Sequence, residues 1–209
     1  MLLEYEDSIE VLEQKLEKLP SQHRLAFCAA IAQRMLPAYN TYAQEEGLED
    51  TKILITVLDE IWQILAGKIP NYIYIKQLFE SCDKIYPDMD DSTCPWCLEA
   101  QMAVATILDT LRCVLEQTPR AAARVPDRIH NTLYMHLDLD TDAIEGDCQF
   151  TSLQEQIKKV INHPLTKKEM KKENDDFSYL LKAEILDKER LDWLRISSSH
   201  DNSKILVLS

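Results

Sequence analysis

Residues 34–65 read RMLPAYNTYAQEEGLEDTKILITVLDEIWQIL, and this stretch decides the predicted fold. Apolar residues return every three or four positions on both sides of Gly47, which is the spacing of amphipathic helices. Gly47 follows the first apolar stripe, and glycine is the residue that most often closes a helix. We therefore expect two helices that meet at Gly47. Pro37 should kink or split the first one, because proline cannot donate the backbone hydrogen bond.

The composition extends this helical prediction to the whole chain. Only three glycines occur in 209 residues, whereas sheets joined by tight hairpins need glycine in their turns. Leu, Glu, Lys, Gln and Ala are abundant, and all five favour helices. The sequence predicts an all-α protein, a single-domain bundle of roughly seven to eight helices over residues 1–209. The ends, residues 1–7 and 197–204, are expected to be flexible.

The most apolar segment lies near residues 94–116, and we expect it to form the central helix, with Pro95 in its first turn. Beyond it the sequence predicts a helix over 120–136, an acidic loop over 138–150 and a helix from Ser152 to Ile161. One long helix should then cover 167–196. Thr166 and Glu169 have the spacing of a capping box at its start.

The charge of the chain excludes several classes of partner. Its formal net charge is −13, which repels nucleic-acid phosphates and anionic lipid. The N-terminal residues form no signal peptide, and no stretch approaches the ~18 apolar residues that cross a membrane. We expect a cytoplasmic protein that binds neither nucleic acid nor membranes. Its six cysteines should then be reduced thiols.

The sharpest candidate for chemistry is the sequence Cys94-Pro95-Trp96-Cys97. A C-x-x-C pair at a helix N-terminus can have a lowered thiol pKa, because the helix dipole stabilises the thiolate. Redox enzymes place this motif after a β-strand, however, and no βαβ pattern surrounds it here. A structural role for Pro95 and Trp96 is the simpler interpretation. Cys94 and Cys97 remain a candidate redox pair.

A second candidate site lies in the opening stretch. Asp59 lies at the border of an apolar helix face next to Trp62, so its carboxylate should be partly buried and should need a partner. Arg34 or Lys52 could supply it. As a buried tie between helices, Asp59 would stabilise the protein by roughly 2–4 kcal/mol. The alternative is a pocket near Tyr39, Asp59 and Trp62, with Asp59 as a general base.

Other kinds of site lack their residues. Three scattered glycines cannot form a phosphate-binding loop, and a zinc site would need a second ligand pair beside Cys94 and Cys97. His130 and His136 are six positions apart and do not share a helix face. Asp138, Asp140 and Asp142 begin like a calcium loop, but the required glycine and glutamate are absent. We predict no catalytic residue, no metal and no cofactor.

Several motifs together resemble one family. Residues 34–39 (RMLPAY), Gly47, residues 58–62 (LDEIW) and His163-Pro164-Leu165 are similar to the pattern of the bacterial YjaG-like family of unknown function. Residues 202–205 (NSKI) resemble the end of that pattern but lack its glycine. The resemblance covers most of residues 20–209. It implies a single all-helical cytosolic bacterial domain, brings no catalytic residue, and does not include the Cys94–Cys97 pair.

Three functional hypotheses follow from these observations. The first is a non-enzymatic protein-interaction or regulatory module that binds a protein partner or forms a homodimer. A special case is an acidic inhibitor that covers a basic protein. The net charge of −13 would speed the encounter of the two proteins by electrostatic steering. The second is a thiol-redox protein using Cys94 and Cys97. The third is an enzyme or small-molecule binder with a pocket near Tyr39, Asp59 and Trp62. The sequence favours the first.

Overall fold

The computed structural model describes residues 2–48, 52–144 and 152–199, with the side chains of 138–144 left aside. Within these ranges the chain is all-helical. It forms nine helices and no strand, rather than the seven to eight helices that the sequence predicts. The helices are α1 (Ile9–Leu16), α2 (Ser21–Glu45), α3 (Lys52–Leu65), α4 (Tyr72–Lys84), α5 (Cys97–Glu116), α6 (Pro119–Ile144), α7 (Leu153–Asn162), α8 (Pro164–Lys182) and α9 (Lys188–Ser199).

The centre of the bundle is the pair α2 and α5, which make the most extensive helix–helix contact. The sequence predicts the apolar α5 as the central helix, and most of its side chains are indeed buried. Helix α2 also lies at the centre. Four of its alanines are fully buried, and such small side chains let α5 approach closely: Ala26, Ala29, Ala30 and Ala32. Helices α6, α8 and α9 then cover α2.

Two glycines end helices, and Gly47 does so as the sequence predicts. Gly47 follows α2 with φ +66°, and Gly67 follows α3 with φ +102°. In both places the N–H of the glycine and that of the next residue bond back to carbonyl groups of the last turn, the pattern of a Schellman motif. The positive φ of each motif favours glycine because it has no Cβ.

Several predicted boundaries are wrong. Of the two alternatives predicted for Pro37, a split is wrong, because α2 continues through Pro37 to Glu45, and the Thr41 hydroxyl donates to the Pro37 carbonyl at 3.1 Å. Helix α6 continues to Ile144, so part of the predicted acidic loop is helical. Residues 183–187 separate α8 from α9 where one long helix was expected.

The predicted capping box at Thr166 and Glu169 is also wrong. Helix α8 begins at Pro164 with His163 as its N-cap, so Glu169 lies too far along the helix to cap it. A capping box occurs instead at Ser152 and Glu155, at the start of α7.

Both chain ends that the sequence predicts to be flexible include residues with fixed contacts. Leu3 is buried, and its backbone N–H and C=O both bond to the side chain of Asn174 in α8, at 2.6 and 3.0 Å. At the other end, residues 197–199 belong to α9. Residues 200–204 lie outside the described residues.

Candidate functional site

Arg34 is the centre of a buried ionic cluster. Its side chain has no exposed surface. The guanidinium binds Glu169 with both carboxylate oxygens involved, at 2.5–3.1 Å, and its Nη1 donates to Asp176 at 3.0 Å. The Ala30 carbonyl accepts a further bond at 3.1 Å. Arg34 therefore ties α2 to α8 rather than to Asp59 in α3.

The carboxylates of this cluster come from one face of α8. Glu169, Glu173 and Asp176 are four and three positions apart, so their side chains lie one above the other along the helix. All three are buried. The Glu173 carboxylate accepts a hydrogen bond from His130 Nε2 of α6 at 3.2 Å, and Asp176 also pairs with Lys172. The cluster thus joins α2, α6 and α8.

The charges of the cluster stabilise each other. Burial alone would lower the pKa of Arg34, but Glu169 and Asp176 outweigh it and raise that pKa, so the guanidinium stays charged. Burial would likewise lower the pKa of His130, but the adjacent Glu173 carboxylate raises it. Burial also affects two other members of the cluster, because it raises the pKa of Glu169 despite Arg34 and lowers the pKa of Lys172 despite Asp176. Arg34, His130 and the three carboxylates are all buried where α2, α6 and α8 meet, which favours a structural tie.

Asp59 lies elsewhere and is not buried. It pairs with Arg195 of α9, and the side chains of both are about two-fifths exposed, at 44% and 39%. Arg195 also lies over the ring of Trp62, 5.9 Å from its centroid, and Trp62 Nε1 donates to Gln33 at 3.1 Å. The partner is therefore neither Arg34 nor Lys52, because α9 covers this edge of α3.

Tyr39 is buried and faces a different part of the molecule. With Tyr42 it lines a pocket of about 370 Å³. We call this the tyrosine pocket, and its other walls are Leu48, Lys84, Ile85, Tyr86, Pro87 and Asp88. Asp59 and Trp62 do not line it. The structure therefore separates Tyr39 from Asp59 and Trp62, which the sequence combined into one pocket.

The Cys94–Cys97 pair lies beside the tyrosine pocket. Cys97 begins α5 and is buried, whereas Cys94 is half-buried, and both are free thiols. Burial raises the pKa of the Cys97 thiol, a hydrogen bond with Ser92 opposes this, and Glu46 adds to it. The net direction is opposite to the lowered pKa of a catalytic thiolate.

Three exposed apolar side chains lie where α3 leads into α4, and two of them, Ile69 and Ile73, are the most exposed large apolar residues in the described ranges. Ile69, Tyr72 and Ile73 are 86%, 58% and 75% exposed, and we call them the α3–α4 face. Ile69 also lines a groove of about 340 Å³ at this end of the bundle. The other lining residues are Ser21, Gln22, Leu25, Ile64, Leu65, Gly67, Lys68, Pro70, Cys113, Val114 and Gln117.

Within residues 2–48, 52–144 and 152–199, no three His, Cys, Asp or Glu side chains are grouped so that they could hold a metal ion. No helix in these ranges combines the length and apolar content that crossing a bilayer requires.

The relationship to known proteins agrees with the motifs in the opening stretch. A family model described as a protein of unknown function, DUF416, matches residues 11–205. The chain belongs to the DUF416 family. The resemblance to YjaG-like proteins is thereby confirmed, and the family carries no assigned activity.

Two curated bacterial relatives of this DUF416 chain are themselves uncharacterised. The protein YjaG of Escherichia coli is 34% identical over 77 residues, which is 37% of this chain and 39% of YjaG. A protein of Haemophilus influenzae is 31% identical over 105 residues, which is 48% of this chain and 53% of the relative. The matched segments thus span between two-fifths and about half of these relatives.

A crystal structure shares the fold of this DUF416 chain. It is that of a DUF416 family protein from Shewanella baltica, with a TM-score of 0.78 at 20% identity, over 93% of this chain and 98% of that one. At this identity the match establishes the fold and no shared activity.

The sequence interpretation missed the main polar feature of this DUF416 chain, the α8 carboxylates and His130. The signal was present, because Glu169, Glu173 and Asp176 follow helical spacing and lie next to the apolar Met170 and Phe177. Three acids on one helix face usually indicate a solvated surface. Only the position of Arg34 and His130 on facing helices shows that this face is buried.

Proposed function

We propose that this protein is a non-catalytic interaction module that self-associates through the α3–α4 face. The observation that carries the proposal is the exposure of Ile69, Tyr72 and Ile73, at 86%, 58% and 75%, beside an open groove. Contiguous apolar surface next to a groove is typical of protein-binding sites. The buried acid–base groups around Arg34, in contrast, are enclosed by α2, α6 and α8.

Charge favours a second copy of the chain as the occupant. The molecule carries −13, so two copies repel each other over most approaches. None of the residues that line the groove is acidic, and its one charged residue, Lys68, is paired with Glu60 at 2.5 Å. Two copies can therefore meet here without placing carboxylates against each other.

The arrangement also suits twofold symmetry. In such a dimer each copy uses the same surface, so a protruding element must lie close to a recess. Ile69 is both the most exposed apolar side chain of the face and a lining residue of the groove. Ile69 and Ile73 of one copy would then pack into the groove of the other.

The proposal places the protein in the cytosol. The five cysteines in the described ranges are all free thiols, which suits a reducing compartment.

The experiment is a concentration series by analytical ultracentrifugation on the wild type and on the double variant Ile69→Glu/Ile73→Glu. We expect the wild type to dimerise. The dissociation constant of the variant should be higher by roughly 30-fold or more, which corresponds to the loss of one strong contact. The matched control is Ile185→Glu/Ile196→Glu, since these isoleucines are 71% and 57% exposed in other parts of the surface.

The control should dimerise like the wild type, and circular dichroism should show the same helicity for all three proteins. The proposal fails if the wild type is monomeric throughout the series. It also fails if the α3–α4 double variant dimerises as well as the control does.

A further inference from the structure

Cys94, Pro95, Trp96 and Cys97 form a hydrogen-bonded type I turn. The Cys97 N–H donates to the Cys94 carbonyl at 3.1 Å. Trp96 has φ −93° and ψ 5°, the values of the third residue of such a turn, and proline is favoured at the second position. The N–H of Cys94 in turn donates to the Ser92 hydroxyl at 3.1 Å, which fixes the entry into the turn.

This turn brings the two cysteines within disulfide range. The first and fourth Cα atoms of a β-turn are less than ~7 Å apart, and a disulfide usually spans about 4.4–6.8 Å between Cα atoms. Bond formation therefore needs rotation of the two side chains and no rearrangement of helices. Cys94 and Cys97 are the two ends of a single β-turn, so a disulfide between them can form without disturbing the packing of α5.

The two thiols differ in accessibility. Cys94 is half-buried at the surface, whereas Cys97 is only 4% exposed. A small reagent therefore meets Cys94 first, and Cys97 can then react within the same turn. The Cys28–Cys113 pair is a natural comparison, because its sulfurs are 4.0 Å apart but both residues are buried between α2 and α5.

We propose that Cys94 and Cys97 form a reversible disulfide by exchange with a low-molecular-weight disulfide such as glutathione disulfide. The Cys94 thiol loses its proton and its sulfur attacks one sulfur of the reagent, which releases one thiolate. The Cys97 thiol then loses its proton and attacks the Cys94 sulfur, which releases the second thiolate. Two protein thiols are oxidised and one disulfide is reduced to two thiols.

The surroundings make this pair a slow switch rather than a fast oxidoreductase. Burial raises the pKa of Cys97, Ser92 opposes it through a hydrogen bond, and the Glu46 charge adds to the rise. Exchange needs the thiolate, so its rate should increase as the pH rises above neutrality. This inference is independent of the proposed self-association.

The switch is positioned to act on the tyrosine pocket. The Ser92 hydroxyl, which holds the turn at Cys94, also donates to Glu46 at 2.7 Å. Tyr42, a wall of the pocket, has its pKa raised by burial while a hydrogen bond with Ser92 opposes the shift. Ser92 therefore contacts both the turn at Cys94 and this wall of the pocket.

The test equilibrates the full-length protein in glutathione buffers of increasing disulfide content, blocks free thiols with iodoacetamide and maps the peptides by mass spectrometry. We expect a peptide linked through Cys94 and Cys97, with Cys28 and Cys113 still free. Dithiothreitol should reverse the link. The Cys97→Ser variant should stop at a mixed disulfide between glutathione and Cys94.

The matched control is Cys82→Ser, a buried cysteine of α4, which should leave the link unchanged. The proposal is overturned if wild-type Cys94 accumulates as the mixed disulfide, since Cys97 would then not close the bond. It is equally overturned if Cys94 stays unmodified throughout, or if it pairs with Cys148, which lies outside the described residues.

Discussion

The Arg34 guanidinium is charged and has no contact with solvent, so its partners must offset the free-energy cost of burying the charge. Glu169 and Asp176 neutralise it from α8, and both are themselves buried. Removing one member of a buried ion pair leaves the other members without compensation. Arg34→Ala should therefore lower the free energy of unfolding by about 3–5 kcal/mol, measured by urea denaturation.

The control for Arg34 is Arg195, which also pairs with a carboxylate but at the surface. Because Arg195 and Asp59 are 39% and 44% exposed, solvent screens their attraction. Arg195→Ala and Asp59→Ala should each cost less than about 1 kcal/mol, which replaces the larger value that the sequence suggested for Asp59. Equal destabilisation by Arg34→Ala and Arg195→Ala would contradict the structural role of the buried cluster.

His130 gives the protein a pH dependence whose sign can be derived. Its pKa is raised by the charge of Glu173 against the effect of burial, so the folded state binds the proton more tightly than the unfolded state. This contribution is complete below the unfolded pKa of about 6.5, and it is lost as pH rises through the folded pKa. The free energy of unfolding should fall over that window.

The measurement is urea denaturation at a series of pH values for the wild type and for His130→Gln. The variant should lack the pH-dependent change in the free energy of unfolding that His130 contributes. Over the whole window this change is about 1.4 kcal/mol for each unit by which the folded pKa exceeds the unfolded one. Burial raises the pKa of Glu169 despite the nearby Arg34. Titration of Glu169 therefore also lowers the free energy of unfolding as pH rises, and it does so in the wild type and in the variant alike. Identical slopes would show that His130 does not carry this proton.

At the scale of elements, α4 depends on its cap. The Asn71 side chain accepts from the backbone N–H groups of Ile73 and Tyr74, at 3.1 and 3.2 Å. Asn71→Ala should cost about 1 kcal/mol of stability, and Asn71→Asp, which keeps the acceptor, should cost little. Thermal unfolding followed by circular dichroism compares the two, and an equal loss would exclude the cap as the cause.

Helix ends show where sequence patterns succeed and fail. Gly47 and Gly67 were predictable, because a positive φ is a local property of the backbone. The separation of α8 and α9 at residues 183–187 was not, because Leu181 and Ile185 continue the apolar spacing. These two side chains are 49% and 71% exposed, so the spacing there does not mark a buried face.

At the scale of the whole molecule, the net charge of −13 predicts a salt dependence for the proposed self-association. Raising the ionic strength from ~0.01 M to ~0.15 M shortens the Debye length from about 30 Å to about 8 Å and weakens repulsion between copies. The dissociation constant of the dimer should therefore fall with added salt, measured by sedimentation. A basic protein partner would show the opposite dependence, which distinguishes the inhibitor hypothesis.

The sequence by itself determined the helical class, the glycine-closed helices and the acidic surface, because backbone preference, apolar spacing and charge are local or additive properties. It also contained the motifs that mark the family. The partners of Arg34 were decided only by the tertiary structure. Glu169 and Asp176 are 135 and 142 positions away, and spacing along a chain carries no information about which distant faces meet. Packing of α8 on α2 also decided that these acids are buried.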